Sequence, residues 1–595
     1  MATGSSATVR PIDAPARDSE RLSWGIKLLY GAPGFAGAAL AIPIFINMPK
    51  FYADVVMVPL GYLAIAIALA RSLDALSDPI IGWVSDRTRT RLGRRRPYLI
   101  VGPPLCGLAF YLLLSPPHRL GGNGAAFWFG AFFILYFLFH TVYALPHYAL
   151  GPELTLDYHE RSSLFSVREA FTILGTIAAS AAPGIMMKAF GWNERTVFSV
   201  VGVTFAILLT ALYWLLAARV RERREFATRE SNPLVPGVRR ALRNRPFRIL
   251  LASYVVGSIT GAIPATLLPF FNAYVIQPAN PALWLSIHLL GYFGVGFICL
   301  PLWVMAAKRF GKQPAWLASF VMGITGGGAM FFLGKGNTIA LLILICWAGA
   351  SFGAGLFLGP SMQADVIDYD ELYTGKRREA QYSAFWSIVP KFVAIPSAAL
   401  PIAVLAEIGY VPNAVQTPEV ILAIRTVFAL APATCALLSF LIAWRFPLTE
   451  KIHRAILDGI ALHSRGQDAI DPLTGGVVAP PNAREVNEAV GWFLDYFSEG
   501  ELRRYLAKGP LSPIRDVWLT AAGSIGVSAI AGLIAIDRMR GLASNPGPIA
   551  SLSVVASGFA LAVFFFHILR IGAARQLASG TVAADVVRAH LSESF

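Results

Sequence analysis

The sequence predicts an all-α polytopic membrane protein: twelve spanning helices in two halves of six, then a C-terminal extension with about two more apolar helices. Three observations predict it. The chain is 55% hydrophobic and 14% charged, with a mean hydropathy of +0.58, where a soluble domain carries about 25% charged residues. Its apolar residues gather into runs close to the roughly 20 residues that cross a bilayer as a helix. Its arginines and lysines fall in short blocks between those runs.

Twelve runs precede residue 446, near 24–49, 58–84, 97–115, 126–150, 165–190, 196–218, 249–275, 283–307, 314–334, 338–363, 381–406 and 420–444. Gly34, Pro43, Pro264 and Pro396 lie inside them; in a membrane bundle such residues permit close packing and kinks. The basic blocks Arg87 to Arg96, Arg219 to Arg248, Lys308 to Lys312 and Lys376 to Arg378 all follow even-numbered runs. Positive loops stay in the cytoplasm, so both ends of the twelve-helix unit are expected there, in a plasma membrane such as the bacterial inner membrane. The net charge of +15 then belongs to these loops, and no nucleic-acid partner is expected.

Two weak repeats divide the unit. Arg91-Leu-Gly-Arg-Arg-Arg-Pro97 follows the second run and Arg309-Phe-Gly-Lys-Gln-Pro314 the eighth. Gly151-Pro152 with Asp157-Tyr158 follows the fourth, and Gly359-Pro360 with Asp368-Tyr369 the tenth. Both fall in the register of two six-helix repeats. The expected division is a cytoplasmic tail at 1–22, a first half at 23–218, a basic linker at 219–248 and a second half at 249–445. A cytoplasmic segment at 446–516, two further membrane helices at 517–570 and a tail at 571–595 complete it. Within the segment, Val486, Val490, Phe493, Leu494 and Phe497 have helical spacing and read as an amphipathic helix that either lies on the membrane or packs against the bundle. The extension is expected to serve stability, assembly or regulation rather than the transport cycle. The N-terminus lacks the apolar stretch of a signal peptide, and Cys106, Cys299, Cys346 and Cys435, all inside apolar runs, read as free thiols.

Charge inside a membrane segment is expensive and marks function. Arg71, Asp74 and Asp78, spaced by three and four, share one face of the second helix, with Ser77 beside them. Two carboxylates there can share a proton or a small cation, and Arg71 can offset their repulsion. Lys391, alone in the eleventh run, must face a wet cavity or a carboxylate. His140 and His147, seven residues apart, can share one face of the fourth helix, where a histidine either takes up protons or bonds to a backbone carbonyl or water.

The run Arg71-x-x-Asp74-Ala75-x-x-Asp78-Pro79-x-x-Gly82 resembles the helix 2 signature of the glycoside-pentoside-hexuronide:cation symporters, a branch of the major facilitator superfamily. Asp86-Arg87-Thr88 through Gly93-Arg94 looks like that superfamily's cytoplasmic loop. Ala364-Asp365-Val366-Ile367-Asp368-Tyr369 with Thr374-Gly375-Lys376-Arg377 is similar to the branch's helix 10 to 11 loop, and Gly409-Tyr410-Val411-Pro412-Asn413 to the end of helix 11 in melibiose permease. The resemblance implies a major facilitator fold, with Asp74, Asp78 and Ser77 binding the coupling cation, H+ or Na+, and Arg71 as charge partner. It implies a substrate pocket with Lys391 and Arg168, beside Tyr148, His147 and Trp386, and gating loops at Gly82, Asp86, Arg87, Gly93, Arg94, Asp365 and Asp368. Two family carboxylates are missing: Ala144 stands where one completes the sodium site, and Ala38 where one grips galactosides. Sodium coordination and galactoside transport are both weakened by that, and the lean is towards H+.

The function expected is therefore a cation-coupled symporter for a small solute, a sugar, glycoside or uronate, working by alternating access as a monomer in the lipid bilayer. It needs no cofactor and no metal beyond a possible Na+ at Asp74 and Asp78. An amphipathic, lysolipid-like substrate is the alternative, suited by the apolar first helix and by a resemblance to the eukaryotic lysophosphatidylcholine symporter. A non-transporting scaffold or sensor is a second alternative, opposed by the buried charges. An enzyme is not expected: no nucleotide-binding loop, paired nucleophile and base, or metal-ligand spacing occurs.

Overall fold

The computed structural model describes residues 21–155, 157–220, 222, 234–375, 378–480, 488–541 and 548–593. Lys376, Arg377, Val486 and the linker stretch 223–233 lie outside the described residues. Every apolar run forms a helix. In the first half these are α1 (Trp24–Asp54), α2 (Leu60–Arg87), α3 (Arg96–Leu114), α4 (Gly122–Leu154), α5 (Tyr158–Phe190) and α6 (Glu194–Arg219). A short linker helix, α7 (Leu234–Arg243), leads to α8 (Arg245–Ile276), α9 (Pro281–Phe310), α10 (Lys312–Met330), α11 (Thr338–Thr374), α12 (Glu379–Glu407) and α13 (Pro418–Ala443). Side chains that offer an acceptor to the first unpaired N–H groups start several of them: Ser23, Asn193, Asn244, Asn280 and Thr417 cap α1, α6, α8, α9 and α13.

The halves repeat one another. In the first, the main packing pairs are α1 with α5, α2 with α4, and α3 with α4 and α6; in the second they are α8 with α12 and more extensively with α13, α9 with α11, and α10 with α11 and α13. The opening helix of each half carries a π-helical turn, Pro43–Asn47 in α1 and Phe271–Ile276 in α8. Such turns absorb an extra residue and bend a helix. The halves meet where α2 packs on α12 and α5 on α9.

The extension continues with α14 (Glu450–His463), a hairpin of β1 (Ala469–Ile470) and β2 (Val477–Val478), α15 (Glu488–Leu494) and α16 (Glu499–Lys508). It ends with α17 (Ser512–Gly541), α18 (Pro548–Ile568), α19 (Ile571–Ala578) and α20 (Ala584–Glu593). Thirteen helices among the described residues are long and apolar enough to cross a membrane, α17 and α18 included; the 19-residue α10 is outside that number. The amphipathic stretch around Phe493 packs within the extension: Leu494, Phe497, Leu502, Val517, Ala574, Leu577 and Val587 form an apolar cluster of their own. The described part of that helix is shorter than its pattern suggested, ending at Leu494.

Candidate functional site

The buried charges of α2 meet the lone lysine of α12 across the seam between the halves. Lys391 Nζ lies 2.8 Å from Asp74 Oδ1 and 2.7 Å from Asp78 Oδ2. Arg71 Nη1 stands 3.7 Å from Asp74 Oδ2, its guanidinium over the rings of Phe45 (4.3 Å) and Phe137 (4.6 Å). Two cations therefore balance two carboxylates, with Asp74 only 3% exposed and Asp78 7%. Thr141 of α4 completes the group: its hydroxyl reaches Asp74 Oδ1 at 3.2 Å and Asp78 Oδ1 at 3.0 Å. Ser77, expected beside the carboxylates, instead donates to the backbone carbonyl of Asp74, as helix serines commonly do. Thr141 takes its place, and the sequence reading missed it.

The remaining residues expected to meet the solute divide. Tyr148 is half exposed, and the Arg168 guanidinium lies 5.4 Å from its ring and 5.2 Å from that of Phe165. Arg168 also pairs with Glu169 at 2.5 Å. Trp386 stacks flat on Tyr254, with ring centroids 4.2 Å apart. His147 does not belong with them: it is buried, bonded to the Tyr30 carbonyl (3.0 Å) and the Tyr213 hydroxyl (3.2 Å). With both ring nitrogens occupied by protein, it packs α1, α4 and α6 together rather than facing a solute.

A second cross-seam cluster, also missed, sits at the end of the bundle where α1 turns into α2. Asp54 is 5% exposed and accepts from Tyr274 Oη at 2.6 Å and from Tyr410 Oη. Lys50 Nζ is 2.8 Å from Asp54 Oδ2, and Asn413 Nδ2 donates to the Asp54 carbonyl at 2.6 Å. Asn413 and Met57 both adopt left-handed backbone, with φ of 55° and 65°, an uncommon geometry for non-glycine residues that surrounding bonds must hold. These contacts close the Asp54 end across both halves.

At the opposite, arginine-rich end each half carries its own charge network. Arg94 and Arg95 both reach Glu153 Oε1, and Arg95 also pairs with Asp86 at 2.7 Å. Glu222 accepts from the backbone N–H groups of Arg94, Arg95 and Arg96, each at 2.7 Å. Gly93 makes this possible: its φ is +112°, and a Cβ there would stand 2.7 Å from the Glu222 carboxylate. Arg87 is exposed. Gly82 shows no such need, since a Cβ would meet nothing within 4 Å. In the second half Lys312, at the register of Arg94, pairs with Asp365 at 2.7 Å, one turn beyond Ser361, which stands at the register of Glu153. Asp365 and Asp368, expected in a loop, belong to the last turns of α11, which runs on to Thr374.

His453 of the extension joins this second network, 2.9 Å from Asp368 Oδ2 and 3.6 Å from Asp365 Oδ1. Its hydrogen bond to Asp368 raises the imidazole above its ordinary value of 6.5, against the effect of burial and with help from Asp365. A raised histidine stabilises docking fully below its unfolded value and loses that contribution as pH rises through the folded one. Amide exchange in α14 is therefore expected to quicken, beyond its intrinsic pH dependence, as pH climbs above 6.5. His453→Phe should remove the excess, and an α14 protected equally on both sides of that range would refute the role.

Two pseudo-repeated six-helix halves, with a balanced charge cluster across their seam, define a membrane transporter of the major facilitator superfamily. The sequence pattern of the MFS/sugar transport protein family matches residues 28–450, and the chain belongs to that family. Its relatives include the glucuronide carrier protein homolog of Escherichia coli, 28% identical over 74% of this chain and 96% of its own length. The inner membrane symporter YicJ of Escherichia coli is 26% identical over 75% and 97%. The sodium-dependent lysophosphatidylcholine symporter 1 of Mus musculus is 25% identical over 75% and 90%. Among solved structures, a peptide transporter POT mutant in complex with alafosfalin superposes with a TM-score of 0.52 at 16% identity, covering 72% of this chain and 96% of its own. The superposition establishes shared fold. The extension beyond residue 450 lies outside the family match.

Proposed function

We propose that the protein is a cation-coupled symporter that imports a small anionic or polar solute, a sugar acid or glycoside, by alternating access. The observation that carries this reading is the Lys391 ammonium shared by Asp74 and Asp78 across the seam. A proton or cation binding the carboxylates competes with Lys391 for the same oxygens, so ion binding loosens one contact that holds the halves together. Solute binding near Lys391, Arg168, Tyr148 and Trp386 then acts on the same lysine, which links the two events.

The charge balance favours a proton. Arg71 and Lys391 already neutralise Asp74 and Asp78, so Na+ must displace Lys391 and gather about six oxygen ligands, whereas a proton needs one carboxylate oxygen. Ala144 supplies no further carboxylate. In proteoliposomes, uptake of radiolabelled glucuronide is expected to follow an imposed proton gradient and to collapse with a protonophore. Uptake that ignores the protonophore and requires sodium would refute proton coupling. Lysophosphatidylcholine belongs in the same assay, because the mouse relative is named for it and the α1 stretch from Ala38 to Ile46 is apolar.

The basic loops support cytoplasmic ends for the twelve-helix unit in a bacterial inner membrane, so that the closed Asp54 end faces outward and the arginine end faces the cytoplasm. Asp54→Ala removes the acceptor for Tyr274, Tyr410 and Lys50. It is expected to shift the resting population towards an open outer end, read as at least about tenfold faster labelling of a cysteine at Phe51, a difference of about 1.4 kcal/mol. Unchanged labelling would show that Asp54 is not the outer clasp.

A further inference from the structure

The extension reaches the coupling cluster from behind. Helix α18 packs on α2 and on α12 at once, the two helices that carry Asp74, Asp78 and Lys391. The approach to α2 is close: a Cβ on Gly558 would stand 2.4 Å from Ser72 Oγ and 2.7 Å from Ser72 Cβ. Small residues permit such backbone approach in membranes, where packing rather than hydrophobic drive holds helices together. Ser72, 5% exposed, follows Arg71 directly and precedes Asp74 by two residues. One residue further along α18, the Phe559 ring lies 5.5 Å from that of Phe392, the neighbour of Lys391. Val555 is buried in the core that both halves share.

The same unit grips the linker between the halves. Arg570, 1% exposed, binds Glu501 Oε2 at 2.7 Å and the Tyr496 carbonyl at 2.8 Å, which joins the base of α18 to α16. Glu501 also lies 3.5 Å from Arg239 of α7. Asp495 pairs with Arg240 and, at 3.1 Å, with Arg243. Burial pushes Asp495 up, but the nearby His590 imidazole, at 3.5 Å, and the two arginines outweigh it, and the carboxyl ends below its usual range. Arg570 and the three linker arginines make this an attachment through buried ion pairs rather than loose surface contact.

We propose that the described parts of the extension, 488–541 and 548–593, act as a brace on the transport cycle: they hold the linker helix and lay α18 across the α2–α12 seam, so that exchange between conformations requires α18 to slide on one of the two helices. Alternating access rotates one half against the other, and a helix docked on both cannot keep both contacts in register. The extension thereby sets the rate of the cycle at the level of the charge cluster, a direct part in the motion that the sequence pattern did not suggest. This inference requires only that the halves move, and stands or falls separately from the identity of ion or solute.

The test uses the full chain in lipid nanodiscs, with the four native cysteines replaced. Fluorophores on unnatural amino acids replace Met57 and Val411, 53% and 54% exposed and on opposite halves of the Asp54 end, and report gate distance by single-molecule energy transfer. Two cysteine pairs tether α18: Gly558→Cys with Ser72→Cys to α2 as a disulfide, and Phe559→Cys with Phe392→Cys to α12 through a short reducible bis-thiosulfonate linker, since the ring contact does not put their Cβ atoms within direct disulfide reach. Exchange is driven in two arms, a step from about pH 8 to about pH 5 and an addition of sodium at constant pH, so that either coupling ion can start it. Either tether alone should leave exchange within about threefold of the reduced protein, while both together should slow it more than about tenfold, reversibly with reductant. Undiminished exchange with both tethers would show α18 to be a passenger, and a reduced protein that never leaves the near distance would leave no motion for a brace to restrain; either overturns the proposal. Should the cysteine set fail to fold, Gly558→Leu is the second variant: it should change the rate of exchange between near and far distances at least about threefold, with Ser72→Gly restoring it. An unchanged rate overturns the proposal equally.

Discussion

Asp78→Asn is expected to abolish concentrative uptake while leaving solute exchange down its gradient. The substitution keeps the shape and the hydrogen bond from Thr141, which lies 3.0 Å from Asp78 Oδ1. It removes one negative charge, so Arg71 and Lys391 face Asp74 alone and the cluster is fixed in the charge state that protonation would produce. A carrier held in that state still rocks, but no proton enters or leaves its cycle. Accumulation should therefore fall to equilibrium, and counterflow should persist within about tenfold of the wild type. Asp74→Asn/Asp78→Asn should lose accumulation as well. Full accumulation by the double variant, measured in proteoliposomes under an imposed gradient, would show that these carboxylates do not couple the ion.

Lys391→Ala is expected to be the most damaging single change to the seam. It leaves Asp74 with Arg71 at 3.7 Å as its remaining cation, and Asp78 with the Thr141 hydroxyl. Removing one partner of a buried ion pair costs about 3–5 kcal/mol, because the other charge stays desolvated and unpaired. Proton uptake by the orphaned carboxylates offsets part of that cost, so the variant should unfold at lower temperature near neutral pH and recover stability as pH falls. Adding Asp78→Asn should restore thermal stability without restoring coupled uptake. If uptake per folded molecule stayed normal in Lys391→Ala, the lysine would be a packing ion pair and nothing more.

The parts of this protein legible in the sequence are those fixed by short-range rules. Run length and the placement of basic residues give the helices, and spacings of three and four put Arg71, Asp74 and Asp78 on one face. A lone Lys391 in an apolar run stands out because a charge there needs a partner. Thr141 does not stand out, since a helix hydroxyl ordinarily satisfies itself on its own backbone, as Ser77 does here. Asp54 was passed over because it lies at a helix end, where charge costs little. For His147 the bond to a backbone carbonyl is the reading the structure bears out, and the solute contact is not, because its two protein partners come from α1 and α6.

Which of these residues meet was decided by the tertiary structure. Lys391 is 317 positions from Asp74, and Tyr410 is 356 from Asp54, distances over which no periodicity carries information. Charge pairs act over a few ångströms, so their partners depend on how the two halves dock and on the conformation they dock in. The seat of α18 has the same origin. Gly558 is one glycine in an apolar run until α2 presents Ser72 to it, because membrane helices choose neighbours by close packing of small residues, and that complementarity exists only between assembled surfaces.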